Sequence, residues 1–183
     1  VNPHKWLFTP IDCSAFYVRD PEVLRRAFSL VPEYLTTTDA DDVTNFMDWG
    51  VQLGRRFRAL KLWMVLRYFG QEGLAARLRL HLDLAERVAA WVDGHPDLER
   101  LAPVPFSTVC FRARPAGMHG EDDLRRLNAG VLEAVNRGGE AYLSHTELDG
   151  RYTLRLAIGN LRTTPERLDR TLEVIAHEVA ARR

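Results

Sequence analysis

The sequence predicts an α/β chain in three stretches, residues 1–50, 51–95 and 96–183. Three observations predict it. Residues 6–18 are mostly apolar, aromatic or β-branched, as short strands are. Residues 54–93 carry apolar side chains at helical spacing. From residue 96 onward, short apolar runs alternate with amphipathic stretches around turn signals, the pattern of a small α+β unit.

Each element has its own signal. Residues 6–18 read as two short strands joined by a turn at 9–12, where Pro10 interrupts. Asp20-Pro21-Glu22 is a helix start, an N-cap aspartate followed by proline at the first helical position. That helix covers residues 21–28. Residues 30–48 are rich in Thr and Asp and lack periodicity, so they read as a long loop of the kind that often closes over a site. Phe57, Leu60, Trp63, Met64 and Phe69 form one helical stripe opposite a basic face. Gly70 breaks the pattern, and Leu80, Leu84, Val88 and Trp91 form a second stripe that ends at Gly94-His95-Pro96. Residues 98–101 and 108–114 read as strands, and 121–136 as a helix. Residues 142–147 and 152–158 form a hairpin around Asp149-Gly150, a strong turn signal. Thr163 or Thr164 caps a last helix that opens at Pro165.

Composition narrows the function. The 183 residues are 46% hydrophobic and 27% charged, enough for a core and a wet surface. Twenty-five basic residues balance 25 acidic ones, which argues against a nucleic-acid partner or a polybasic membrane anchor. No apolar run approaches the roughly 18 residues of a spanning helix. The opening has no signal-peptide core and no Met, so the chain is expected to begin inside a longer protein. Two cysteines, Cys13 and Cys110, point to reduced thiols in a cytoplasmic setting. Six histidines show no metal-ligand spacing, and no metal is expected.

The residues with chemical potential cluster early. Lys5 lies between a polar and an aromatic neighbour before an apolar run. By itself it reads as a lysine at a strand end, His4 as a packed histidine, and Tyr34 as a surface aromatic. Arg55, Arg56, Arg58 and Lys61 read as a solvated or subunit-facing helix face, because net positive charge and interleaved aromatics are absent. His145 and His177 read as structural or exposed.

Three blocks change the weighting: Asn2-Pro3-His4-Lys5-Trp6, then Asp12-Cys13-Ser14-Ala15, then Gly54-Arg55-Arg56-Phe57-Arg58-Ala59-Leu60-Lys61. In this order and at this separation they resemble the group II pyridoxal-phosphate (PLP) dependent amino-acid decarboxylases, and within them the aromatic-L-amino-acid decarboxylases. The resemblance covers nearly the whole chain. Its first and third blocks are the specific ones, and the C-terminal stretch matches in pattern.

The resemblance implies the C-terminal portion of a type I PLP-transferase fold. Residues 1–50 would be the tail of the PLP-binding large domain with its catalytic lid, 51–95 connecting helices, and 96–183 the α+β small domain. It implies decarboxylation of an L-aromatic amino acid to the amine and CO2 by a homodimer. Lys5 would hold PLP through its amine, a residue type suited to capturing an aldehyde. Asn2 and His4 match positions near the cofactor phosphate, and both can donate hydrogen bonds to an anion. Tyr34 matches a lid tyrosine that protonates the carbon left by CO2. Relatives with phenylalanine there form an aldehyde instead. Gly54 matches a position facing the neighbouring subunit's site, where a glycine leaves room for a larger ring; the alternative is a glycine that starts a helix. Arg155 matches an arginine that contacts the substrate carboxylate in some relatives, with a cross-strand salt bridge as the alternative.

The chain departs from the family around Thr9-Pro10-Ile11, which puts the substrate ring in question. It also has no counterpart of the family's acidic partner for the pyridine nitrogen, of the ring stacked on the cofactor, or of most of the phosphate cradle. These 183 residues alone are therefore expected to be inactive. Rival readings are an acidic amino-acid substrate, an aldehyde-forming amine oxidase, and a non-catalytic truncated interaction partner.

Overall fold

Helix caps and apolar spacing decide most of the observed elements. The computed structural model describes residues 1–29 and 44–183. In chain order the elements are α1 (Pro3–Trp6), α2 (Pro21–Phe28), a 3₁₀ turn (Phe46–Trp49), α3 (Arg58–Gly94), β1 (Leu98–Arg100), β2 (Thr108–Ala113), α4 (Glu121–Gly138), β3 (Ser144–Leu148), β4 (Arg151–Ala157) and α5 (Pro165–Ala180). Two compact units, Val1–Gly70 and Gln71–Arg183, divide the chain inside the α3 stretch.

The break in α3 is at Gly70, whose backbone (φ 66°, ψ 173°) is non-helical. Only glycine takes that conformation without a Cβ clash. Residues 58–69 therefore belong to the first unit and 71–94 to the second.

In the first unit, Asp20 caps α2 by accepting a 2.9 Å hydrogen bond from the Glu22 N–H, with Pro21 at the first helical position. The two strands expected in residues 6–18 do not form. Phe8 has a positive φ of 55°, and Pro10 has no N–H to give a ladder. The segment turns where a strand would have to run straight. Part of the expected loop, Phe46–Trp49, is a 3₁₀ turn. The helix also begins at Arg58 and not at Gly54, since glycine is a poor helix former. The first apolar stripe stays largely open in this chain: Phe57, Trp63 and Met64 are all exposed.

The second unit follows the sequence reading closely. Its four strands form one antiparallel sheet in the order β1-β2-β4-β3. Alternation puts Val109, Phe111 and Ala113 of β2 with Leu154 and Leu156 of β4 in one core. Leu84, Val88 and Val92 of α3, Val131 and Val135 of α4, and Leu172, Ile175 and Val179 of α5 complete it. Each fully buried side chain of this kind contributes about 1.5–3 kcal/mol. The β3–β4 turn has Asp149 at φ 50° and Gly150 at φ 76°, the paired left-handed residues of a type I′ hairpin. Thr164 is the α5 cap, its Oγ1 accepting from the Arg167 N–H at 3.3 Å.

Two polar groups in this core were not legible as such. Arg112 is buried, and its guanidinium donates to Glu99 and Glu121. His81 on α3 is 2% exposed. Burial pushes its imidazole below the ordinary value of 6.5; a hydrogen bond to the Asn160 backbone opposes this, and Arg77 adds to it. The unfolded chain therefore binds this proton more readily than the folded one. Stability is complete above about pH 6.5 and declines as pH falls below it. The urea midpoint is expected to drop between pH 7.5 and 5.5, and the drop to shrink in His81→Gln. An equal drop in both proteins would remove His81 as its source.

Candidate active site

The local sequence explains how Lys5 is presented. Asn2 stands at the N-cap of α1 and Pro3 at its first position. The short helix closes through Lys5 N–H to Asn2 O (2.9 Å) and Leu7 N–H to Pro3 O (3.2 Å). Residues 13–15 run back beside it. The Ala15 N–H donates to Val1 O at 2.7 Å, and the His4 N–H to Cys13 O at 3.2 Å. His4 Nδ1 lies 2.6 Å from Cys13 O and 3.1 Å from Cys13 N. Ser14 Oγ donates to Asn2 Oδ1 at 2.7 Å.

A second layer comes from the start of α3. Arg58 Nε donates to Asp12 Oδ2 at 2.8 Å. Lys61 Nζ donates to Pro10 O at 3.0 Å and to Asp12 O at 2.8 Å. Cys13 is buried, with its Sγ 3.8 Å from Arg58 O. The hydrogen bond from Arg58 lowers the Asp12 carboxyl from its ordinary value; desolvation opposes it, and the charges of Arg58 and Lys61 assist. Arg55 Nη1 donates to Phe46 O at 3.1 Å. Arg58 and Lys61 thus brace residues 10–12, while Arg55 and Arg56 stay exposed, as a solvated face would be. The reason is spacing: residues 58 and 61 are neighbours on one helix face and meet the same short segment.

Lys5 is exposed, and among the described residues no hydrogen bond or ion pair engages its side chain. A free primary amine is what an aldehyde group requires. Asn2 has its side-chain oxygen occupied by Ser14 and its amide N–H groups left to donate. His4 has Nδ1 committed to Cys13, which leaves Nε2 as its other ring nitrogen. An amine beside two such polar groups suits a cofactor that carries both an aldehyde and a phosphate.

The other expected site residues fare differently. Tyr34 lies outside the described residues. Next to that stretch, Ser29 Oγ donates to Asp48 Oδ1 at 3.3 Å. Gly54 is exposed, precedes α3, and has open space where a Cβ would stand. Arg155 is on β4 in the second unit, and its Nη1 donates to Ser144 Oγ at 3.4 Å. No carboxylate pairs with Arg155 among the described residues. Asn2, His4 and Lys5 are therefore the members brought together. The sequence reading missed Asp12, Arg58 and Lys61 as their support, although the spacing of 58 and 61 was a usable signal. Among the described residues no His, Cys, Asp and Glu cluster is arranged for a metal, and no helix is long and apolar enough to cross a membrane.

Comparison with known proteins gives these sites a context. The profile of the pyridoxal-dependent decarboxylase conserved domain matches residues 1–114. Tyrosine decarboxylase 2 of Narcissus pseudonarcissus is 40% identical over 95% of this chain and 35% of its own length. Phenylacetaldehyde synthase of a Rosa hybrid cultivar is 38% identical over 98% of this chain and 37% of its own. The crystal structure of Oryza sativa TDC with PLP and tryptamine superposes with a TM-score of 0.91 at 36% identity, covering 98% of this chain and 38% of that one. The chain thus spans little more than a third of the length of the relatives it matches.

Proposed function

The chain belongs to the pyridoxal-dependent decarboxylase family and is built as a portion of the type I PLP fold, and from that premise we propose that the full-length protein, as a homodimer, decarboxylates an L-aromatic amino acid to its amine and CO2. The observation that carries this reading is the exposed amine of Lys5, unpaired among the described residues, in the same short helix as His4 and next to its Asn2 cap.

PLP, when bound, supplies an aldehyde for amine capture and a ring that draws electron density from the carbon losing CO2. The chain's own residues do the rest. Lys5 would hold the cofactor by its amine, the group that captures an aldehyde. Asn2 and His4 orient the phosphate through their remaining polar groups. Tyr34 delivers the proton to the carbon that has lost its carboxylate, and a phenol shielded from water is suited to that task. Gly54 is assigned to the substrate ring's surroundings, where a residue without a side chain leaves the most room. Arg155 is assigned to the substrate carboxylate, for which a guanidinium provides two parallel donors.

A second reading has a specific observation behind it. The rose relative is named for aldehyde synthesis at 38% identity, close to the 40% of the tyrosine decarboxylase. Tyr34 favours the amine, because the resemblance associates aldehyde formation with phenylalanine at that position.

A panel of L-amino acids given to the full-length protein with PLP separates the two. CO2 and amine are expected from aromatic substrates, without aldehyde or peroxide. Aldehyde and peroxide in step with CO2 would replace the reading with the oxidative one. Turnover of acidic substrates only would overturn the aromatic assignment.

A further inference from the structure

We infer that Lys61, together with Arg58, is a positioning residue for Lys5: the two cations hold the residue 10–13 loop on the start of α3, and that loop fixes the short helix carrying Lys5. The inference rests on the proposed role of Lys5 as the cofactor's anchor.

Cys13 is buried at the loop's end, but residues 10–12 have little else to hold them. Pro10 and Ile11 are exposed, Ile11 by 82%. Burial of apolar surface therefore does little for residues 10–12. What engages them is polar and comes from α3. One ammonium spans Ile11, donating to the carbonyls on either side of it at 3.0 and 2.8 Å. One guanidinium takes the Asp12 carboxylate at 2.8 Å. The connection then passes to α1. Cys13 follows Asp12 and meets His4 through both its N–H and its carbonyl. His4 is the residue before Lys5. A chain of short polar contacts thus leads from Lys61 to the backbone that carries the amine. Removing the ammonium releases two carbonyls at once and leaves Arg58 to hold the loop by a single partly exposed ion pair, a weak tether. Catalytic groups tolerate little displacement, so a looser α1 weakens cofactor retention even though Lys5 is intact.

The test uses the full-length protein and the variants Lys61→Met and Lys61→Arg. Three quantities are read: the PLP dissociation constant, the amount of PLP fixed on the Lys5 peptide by borohydride, and hydrogen exchange of residues 2–15 without PLP. Lys61→Met is expected to weaken PLP about tenfold and to speed exchange in residues 2–15, at an unchanged melting temperature. Lys61→Arg is expected to restore both, because a guanidinium also donates to two carbonyls. Should Lys61→Met fold poorly, Asp12→Asn breaks the Arg58 ion pair at constant size and is expected to move both readouts the same way. Wild-type exchange and PLP affinity in the variants, with PLP fixed on Lys5, would overturn the inference and leave the cofactor reading standing. Absence of fixed PLP on Lys5 in the wild type would overturn the cofactor reading itself and the positioning role with it.

Discussion

Lys5→Ala in the full-length protein is expected to reduce PLP-dependent decarboxylation by about 10³-fold or more, the scale seen when a covalent catalytic group is removed. The substitution deletes the amine proposed to capture the cofactor aldehyde and later to reclaim it from product. It leaves the scaffold alone. Lys5 is exposed and makes no side-chain hydrogen bond or ion pair among the described residues, so folding is expected to tolerate its loss. PLP is still expected to associate through its phosphate and Asn2 and His4, but without a covalent link. Turnover, the visible absorbance of bound cofactor and the mass of the borohydride-treated Lys5 peptide check this together. Undiminished turnover of the variant would move the anchoring role to another lysine and remove the main support for the proposed function.

Asn128→Leu is expected to give the largest loss of stability of any single change at a polar position, about 3–4 kcal/mol from unpaired buried backbone groups at about 1–3 kcal/mol each. Asn128 on α4 is fully buried. Its Oδ1 accepts from the Ala113 N–H at 2.7 Å, and its Nδ2 donates to Ala113 O at 2.9 Å and Leu124 O at 2.8 Å. The amide thus serves the end of β2 as a neighbouring strand would. Leucine matches its size and offers no hydrogen bonds, so the Ala113 N–H and carbonyl are left unpaired in the core. Asn136 repeats the device lower on α4, bonding the Leu143 carbonyl at 3.0 Å and its N–H at 2.7 Å. Parallel urea titrations of wild type and variant measure the cost. A difference below 1 kcal/mol would mean that water or a shifted backbone satisfies Ala113.

Much of the second unit was legible in the sequence because its signals are local. Asp149-Gly150 dictates its turn from two residues, since both must adopt positive φ. Leu84 and Val88 announce a buried helix face by spacing alone. Thr164-Pro165 announces a helix start in the same way. The motif around Lys5 stood out for a different reason: together with the blocks at 12–15 and 54–61 it resembles a known family, whereas the lysine alone would have passed as an ordinary strand-end residue. The first unit was less legible. Apolar, β-branched composition made residues 6–18 resemble strands, but a strand also needs partners and an unbroken extended backbone. Phe8 at positive φ and Pro10 deny it the second.

The sequence by itself therefore determined the family and the helices and hairpin of the α+β unit, and it singled out Lys5 as the proposed cofactor residue. Only the tertiary structure decided what holds that residue in place. Arg58 reaches Asp12 across 46 residues, and Lys61 reaches Pro10 across 51. It also decided that Asn128 is a buried surrogate strand for Ala113 and that His81 lies buried in the second unit. Backbone preference and side-chain periodicity act over a few residues and can be read from neighbours. A cation's partner is settled only when packing brings distant carbonyls and carboxylates within about 3 Å of it, and no local pattern encodes that meeting.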